Sequence, residues 1–163
     1  VVKSGRRWRR LRVMSSFSGK YYYTVDPKGR IIIPAPFREI ISANYNPILV
    51  FVNHVFEPCL HAFPSDVWNK HLEEIKKLPR SDEAIDFYLN RVVASATEIE
   101  IDKQGRVIVP HALREDAVLN SDVAIIGQID RIALWNKKTW TERFDPTKVD
   151  RKAFAERYVS YGL

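Results

Sequence analysis

The feature that most constrains this chain is an internal repeat. Residues 26–39 read D-P-K-G-R-I-I-I-P-A-P-F-R-E, and residues 102–115 read D-K-Q-G-R-V-I-V-P-H-A-L-R-E, at a constant offset of 76. Seven of the fourteen positions are identical, where random matching would give about one. Most of the others are conservative exchanges. A repeat of this kind predicts two diverged copies of one β-rich module. The 163 residues suit one ordinary domain or two small ones sharing a core.

The flanks of the two motifs agree as well. Each motif follows a strand-like run, at residues 20–25 and 97–101; in the second, Glu98 and Glu100 alternate with Ile99 and Ile101, the period of a half-buried strand. After each motif a short helix is predicted to begin, near Pro34–Pro36 and after Pro110, because proline suits a first helical turn. Apolar strands are expected at residues 48–52 and 123–126, and again at 60–63 and 132–135. A second helix follows in each copy, with Ser65 and Asn136 as candidate N-caps. Phe63-x4-Trp68 and Trp135-x4-Trp140 close the two copies at an offset of 72. The first copy therefore carries four more residues, for which 44–47 and 53–58 are turn-rich places.

The expected class is mainly β with short helices, an α+β fold. The organisation reads as a basic leader over 1–14, a first module over 15–80, a linker helix over 81–96, a second module over 97–145 and a tail over 146–163. In the linker, Ser81 is the candidate N-cap and Ile85, Leu89, Val92 and Ala96 share one helical face. In the tail, Phe154, Tyr158 and Tyr161 are spaced like one helical face, which suits a docking helix or a partly disordered end.

The chain is 45% apolar, enough for a globular core, and no apolar run approaches the length of a membrane span. The single cysteine, Cys59, excludes an intramolecular disulfide framework and favours a reducing, cytosolic home. The net charge of +6 invites a nucleic-acid reading, but its distribution qualifies it. Lys3, Arg6, Arg7, Arg9, Arg10 and Arg12 carry the whole excess, and basic and acidic residues balance after Met14. A nucleic-acid surface on the body must then be local. The leader lacks the apolar stretch of a secretory signal. It reads as upstream translation ahead of a start at Met14, with a phosphate-gripping arm or a targeting segment as alternatives.

The repeated turn carries the chemistry. Asp26 and Asp102 can accept hydrogen bonds from the backbone of the turns they begin. Pro27 pre-sets a turn φ, and Gly29 and Gly105 supply a positive φ. Arg30 and Arg106 leave these stiff turns at a fixed angle. A guanidinium so held can take O6 and N7 of a guanine in the major groove, with Lys28 and Lys103 on neighbouring phosphates. The alternative is structural: each arginine pairs with a carboxylate of the fold, and each glycine merely completes a hairpin.

The string D-x-x-G-R, three β-formers, proline and a short helix with F/L-R-E resembles the swapped-hairpin modules of the AbrB and SpoVT regulators. Two such modules in one chain are similar to the MraZ family of bacterial transcriptional regulators. The local agreement includes Phe17-Ser18-Gly19, residues 26–34, residues 59–68, residues 105–110 and residues 127–140. The resemblance implies two half-barrels that complete one another as an interleaved β-barrel, and assembly of the chains into a ring-shaped homo-oligomer. It implies binding of double-stranded DNA at G-containing direct repeats in the protein's own promoter, and repression of a cell-division and cell-wall gene cluster. It implies a cytoplasmic, nucleoid-associated protein. The family's D-x-x-x-R motif falls on Asp26 and Arg30, and on Asp102 and Arg106. The leader departs from the family pattern.

Other residues have plainer readings. Arg38 and Arg114, next to Glu39 and Glu115, are expected in internal salt bridges, with the turn aspartates as candidate partners and a basic face as the alternative. Trp68, Trp135 and Trp140 suit a core or a subunit interface. His54, Cys59 and His61 lie close in sequence, but their spacing fits no common zinc site. Asp66, Glu73 and Glu74 look like the solvated side of a helix. No phosphate-binding loop, dinucleotide fingerprint or nucleophile elbow is present, and no metal, cofactor or catalytic residue is expected. Two other classes stay open: a ring-forming scaffold that binds protein, and a small barrel enzyme with a pocket around His54, His61 or His111.

Overall fold

The computed structural model describes residues 15–163; the basic leader expected over 1–14 lies outside the described residues. The first copy runs β1 (Lys20–Thr24), β2 (Arg30–Ile32), α1 (Ala35–Asn44), β3 (Ile48–Asn53), β4 (Cys59–Pro64) and α2 (Ser65–Ile75). Helix α3 (Glu83–Arg91) and a 3-10 turn, Val93–Ser95, connect it to the second copy. There β5 (Thr97–Glu100), β6 (Arg106–Ile108), α4 (His111–Asp116), β7 (Asp122–Gln128), β8 (Arg131–Asn136) and α5 (Lys137–Arg143) repeat the order. A 3-10 turn, Pro146–Lys148, and α6 (Arg151–Ser160) follow.

The fold is α+β, and the two copies are interleaved. Six strands form one sheet in the order β1-β7-β8-β4-β3-β5, and β2 pairs with β6 in a separate two-stranded ribbon. Strand β1 of the first copy thus joins the second copy's hairpin, and β5 of the second joins the first copy's hairpin. Reversing the strand order exchanges the copies, as an internal two-fold requires. The six-strand ladder ends at β1 and β5. The strands of the ribbon follow β1 and β5 in the chain, and their inward residues share the core with the sheet.

The register also locates the extra residues of the first copy. Tyr23 pairs with Val123 as Ile99 pairs with Leu49, and Val123 pairs with Asn136 as Leu49 pairs with Pro64. The offset between copies has therefore fallen from 76 to 74 by β3 and to 72 by the following strand. Both turn-rich places share the insertion.

One continuous core lies between the sheet and the ribbon. Ile31, Ile33, Val107 and Val109 meet Leu49, Phe51, Leu60, Ile125, Ile132 and Leu134, with Phe37 of α1 and Leu113 of α4 closing it. The outer face of the sheet is covered as well. Trp68 of α2 and Val92 pack on Val50, Val52 and Phe63. On the other half, Trp140 of α5 packs against the cluster of Cys59, Ala124, Ala133 and Trp135. Neither copy can hide both faces alone, so the burial that stabilises each depends on the other.

Helix starts differ in part from the sequence-based expectations. Asn136 caps α5, its side chain accepting from Thr139 N at 3.1 Å. Ser65 does not cap α2. Pro64 ends β4 and itself takes the N-cap position, so Ser65 is already in the first turn. Pro34 and Pro110 begin α1 and α4 in the same way. In the linker, Asp82 caps α3 instead of Ser81, accepting from Ala84 N at 2.8 Å. The linker helix is shorter than expected and contains no buried residue, although Val92 beyond it is buried. Ala96, expected on the packed face, is exposed, because the 3-10 turn rotates it away from that stripe. The tail forms α6, with Phe154, Tyr158 and Tyr161 exposed.

Candidate nucleic-acid interface

Each repeated turn is held by its aspartate. Asp26 Oδ1 accepts from Lys28 N and Arg30 N, both at 2.9 Å, and the Asp26 carbonyl accepts from Gly29 N at 3.0 Å. Asp102 Oδ1 likewise accepts from Gln104 N and Arg106 N at 2.9 Å, and its carbonyl accepts from Gly105 N at 3.0 Å. Gly29 and Gly105 have φ of 77° and 78°, a region that disfavours L side chains. The outcome is the same bend twice, with an arginine at each exit.

The two turns converge through the ribbon. Arg30 stands opposite Ile108, Ile31 opposite Val107, and Ile32 opposite Arg106. Strand alternation sends Ile31 and Val107 into the core, where they are buried, and Arg30, Ile32, Arg106 and Ile108 to the outer face. Reciprocal bonds stitch the ends, Ile33 N to Gly105 O at 2.8 Å and Val109 N to Gly29 O at 3.1 Å. Lys28 and Lys103 are exposed in the adjoining turns. They are not equivalent: Lys103 stands where the first copy has Pro27.

Both arginines do pair with a carboxylate, that of their own turn. Arg30 Nε donates to Asp26 Oδ2, and Arg106 Nε donates to Asp102 Oδ2 at 3.0 Å. The side chains of Arg30 and Arg106 remain 27% and 28% exposed. A bond through Nε orients the guanidinium and leaves its Nη edge unused by that pairing. For Asp26, desolvation works upward, but the Arg30 N–H, its guanidinium and the Lys28 N–H outweigh it and hold the carboxyl below its ordinary range. For Asp102 the Arg106 N–H leads the same downward effect. Both aspartates are therefore ionised at neutral pH, which offsets part of the local positive charge.

Arg38 and Arg114 are not salt-bridged to the turn aspartates, because those carboxylates are already occupied by Arg30, Arg106 and the turn amides. Instead Arg38 Nε donates to Ile33 O at 3.1 Å and Arg114 Nε to Val109 O at 2.9 Å. Each then reaches across to the other copy's turn. A Cβ built at Gly105 would lie 2.6 Å from Arg38 Cζ, and one at Gly29 would lie 2.7 Å from Arg114 Cζ. The ribbon is thus braced from beneath by two arginines exchanged between the copies. Sequence reasoning missed this exchange, and it missed the outward Ile32 and Ile108, whose period of two was hidden inside an unbroken apolar run.

The other candidates stand apart from the ribbon. Cys59 is buried beside Ala124, Ala133 and Trp135, and burial pushes its thiol up to about 12. It is a protonated core residue at neutral pH and a poor metal ligand. His54 and His61 meet edge to face at 5.1 Å, and His54 Nδ1 accepts from Phe56 N and Glu57 N. They line a cavity of about 190 Å³ with Asn53, Phe63, Tyr88 and Arg131. His111 lies elsewhere, on α4, 3.4 Å from Glu115. Among the described residues, no group of three or more His, Cys, Asp and Glu side chains is placed to hold a metal ion. Glu73 and Glu74 form exposed pairs with Lys76 and Lys77, and Asp66 is exposed. Among the described residues no helix is long and apolar enough to cross a membrane.

Comparison with known proteins gives consistent relatives. A family model described as "MraZ protein, putative antitoxin-like" matches residues 16–89 and again 92–160. The protein named transcriptional regulator MraZ of Clostridium acetobutylicum is 35% identical over 147 residues, covering 90% of this chain and 99% of that protein. Its namesake from Acetivibrio thermocellus is 33% identical with the same coverage. That of Caldanaerobacter subterraneus is 34% identical over 145 residues, covering 89% and 98%.

Proposed function

The chain belongs to the MraZ family, and from that premise we propose that it is a transcriptional regulator, not an enzyme, which reads duplex DNA with the outer face of its β2–β6 ribbon. The observation that carries the reading is the placement of Arg30 and Arg106 on one exposed face, each oriented by its own aspartate. A two-stranded ribbon fits the major groove of B-DNA. There the Nη edges of Arg30 and Arg106 reach guanine O6 and N7, while Lys28 and Lys103 sit against phosphates. The body's balanced charge suits such a local footprint.

The finer reading is what the likeness to MraZ regulators implies, and two forks per chain suit it. A ring-shaped homo-oligomer presents several such ribbons, and directly repeated G-containing sites engage them together with a gain in avidity. The site is the protein's own promoter, the action repression, and the targets genes of cell division and the cell wall; the protein works in the cytoplasm at the nucleoid. The test is selection of bound duplexes from a random pool, followed by affinity at rising salt. The expected outcome is enrichment of repeated G-containing sites and a steep fall of affinity with salt, since phosphate contacts release counterions. Enrichment of no sequence would overturn the specific reading. Salt-insensitive self-assembly without DNA binding would favour the protein-binding scaffold.

A further inference from the structure

The ribbon's outer face carries two side chains that phosphate or guanine contacts do not explain. Ile32 is 41% exposed and Ile108 61% exposed, whereas their neighbours Ile31, Ile33, Val107 and Val109 are at most 1% exposed. Register puts Ile108 opposite Arg30 and Ile32 opposite Arg106. The outward quartet is therefore a checkerboard of two cations and two branched apolar groups, related by the internal two-fold. Opposite side chains on such a ribbon are about 5 Å apart at Cβ, and successive outward residues about 6.6 Å apart along a strand. Bases of one strand rise about 3.4 Å each. Each isoleucine thus falls one or two base steps from the base its neighbouring arginine holds.

We infer that Ile32 and Ile108 are specificity-determining residues that pack against thymine 5-methyl groups next to the guanines held by Arg30 and Arg106. This rests on the DNA-reading function proposed above. The major groove offers one apolar group, the thymine methyl, beside the acceptors of guanine. Neither β2 nor β6 contains an acidic residue, and the carboxylates of the adjoining turns, Asp26 and Asp102, are tied to Arg30 and Arg106. An apolar pair framed by Arg30, Arg106, Lys28 and Lys103 fits a polyanion that carries methyl groups. Both isoleucines lie outside the core cluster, so changing them leaves the packing intact.

The probe is the duplex immediately upstream of the protein's own gene, made once with thymidine and once with deoxyuridine, which lacks the methyl. Binding is followed by fluorescence anisotropy. The native protein should bind the deoxyuridine duplex more weakly, by about fourfold for each thymine methyl that an isoleucine covers, from about 0.8 kcal/mol per buried carbon group. The doubly substituted Ile32→Ser, Ile108→Ser protein should bind both duplexes alike. Equal binding of the two duplexes by the native protein overturns the inference. So does a thymine preference that survives in the double variant, since it would then come from DNA shape. Arg30→Ala and Arg106→Ala separate the levels. If they weaken binding while the thymine effect is absent, only the methyl reading fails; if they change nothing, the DNA reading beneath it fails too.

Discussion

Arg38 of the first copy fills the space that a side chain at Gly105 of the second would need. The reciprocal pair, Arg114 and Gly29, repeats the relation. Glycine is demanded twice over at these turns, by a positive φ and by the arginine of the opposite copy. Gly105→Ala should therefore destabilise the protein by about 2 kcal/mol, of which roughly 1–2 kcal/mol is the backbone penalty. Urea unfolding checks the value. Arg38→Ala should lower the penalty in the double variant, and simple additivity would show that the two residues are not coupled.

Helix capping separates two residues that look alike in sequence. Asn136→Ala removes an acceptor for Thr139 N and a donor to Val118 O, and should lower stability by about 1 kcal/mol. Ser65→Ala should change stability by less than about 0.5 kcal/mol, because Ser65 makes no capping bond. Thermal melts of the two variants at one pH give the comparison.

Val118 follows the end of α4 with φ of 54°. Leu119 N bonds back to Arg114 O at 2.8 Å, the geometry in which helices usually place glycine. A β-branched residue is strained there. Val118→Gly should raise the unfolding free energy by about 0.5–1 kcal/mol, since relief of the left-handed strain exceeds the entropy that glycine adds to the unfolded chain. A lower melting temperature in this variant would contradict that account.

The division of labour between sequence and tertiary structure is visible in these residues. The strands, the Asp-x-x-Gly-Arg bends and the starts at Pro34 and Pro110 were legible, because local periodicity, turn chemistry and ring geometry decide them. The exchange of β1 and β5 was not legible from periodicity, since either hairpin offers the same edge; it came from the family resemblance. The destinations of Arg38 and Arg114 depend on which carboxylates are already occupied, and that is settled only when the copies meet. Ser65 failed as a cap because Pro64 ended the strand one residue closer than serine's preference suggested. The outward facing of Ile32 and Ile108 is hidden in the sequence because a run of three apolar residues conceals which one faces out.

Acid should act on the fold through His61. Burial, with His54 and Arg131 nearby, holds its folded pKa down to about 4, against an ordinary 6.5. Between those values the unfolded chain binds a proton that the folded chain refuses, so stability falls as pH drops from about 6.5 to about 4 and levels off below. The loss from this residue is about 3 kcal/mol at most. Asp26 and Asp102 behave in the lower window: their contribution is present above the ordinary carboxylate range and is lost as pH falls through their depressed folded values. Urea midpoints from pH 7 to pH 4 should show the first slope in the native protein and a flatter one in His61→Gln.

The outward arginines are tested most directly by affinity for the protein's own upstream DNA, measured by gel shift beside size-exclusion profiles. Arg30→Ala and Arg106→Ala should each weaken specific binding by about 1–3 kcal/mol per guanine contact while the elution profile stays that of the native protein. Affinity equal to the native protein's in both variants would contradict the ribbon as the reading surface.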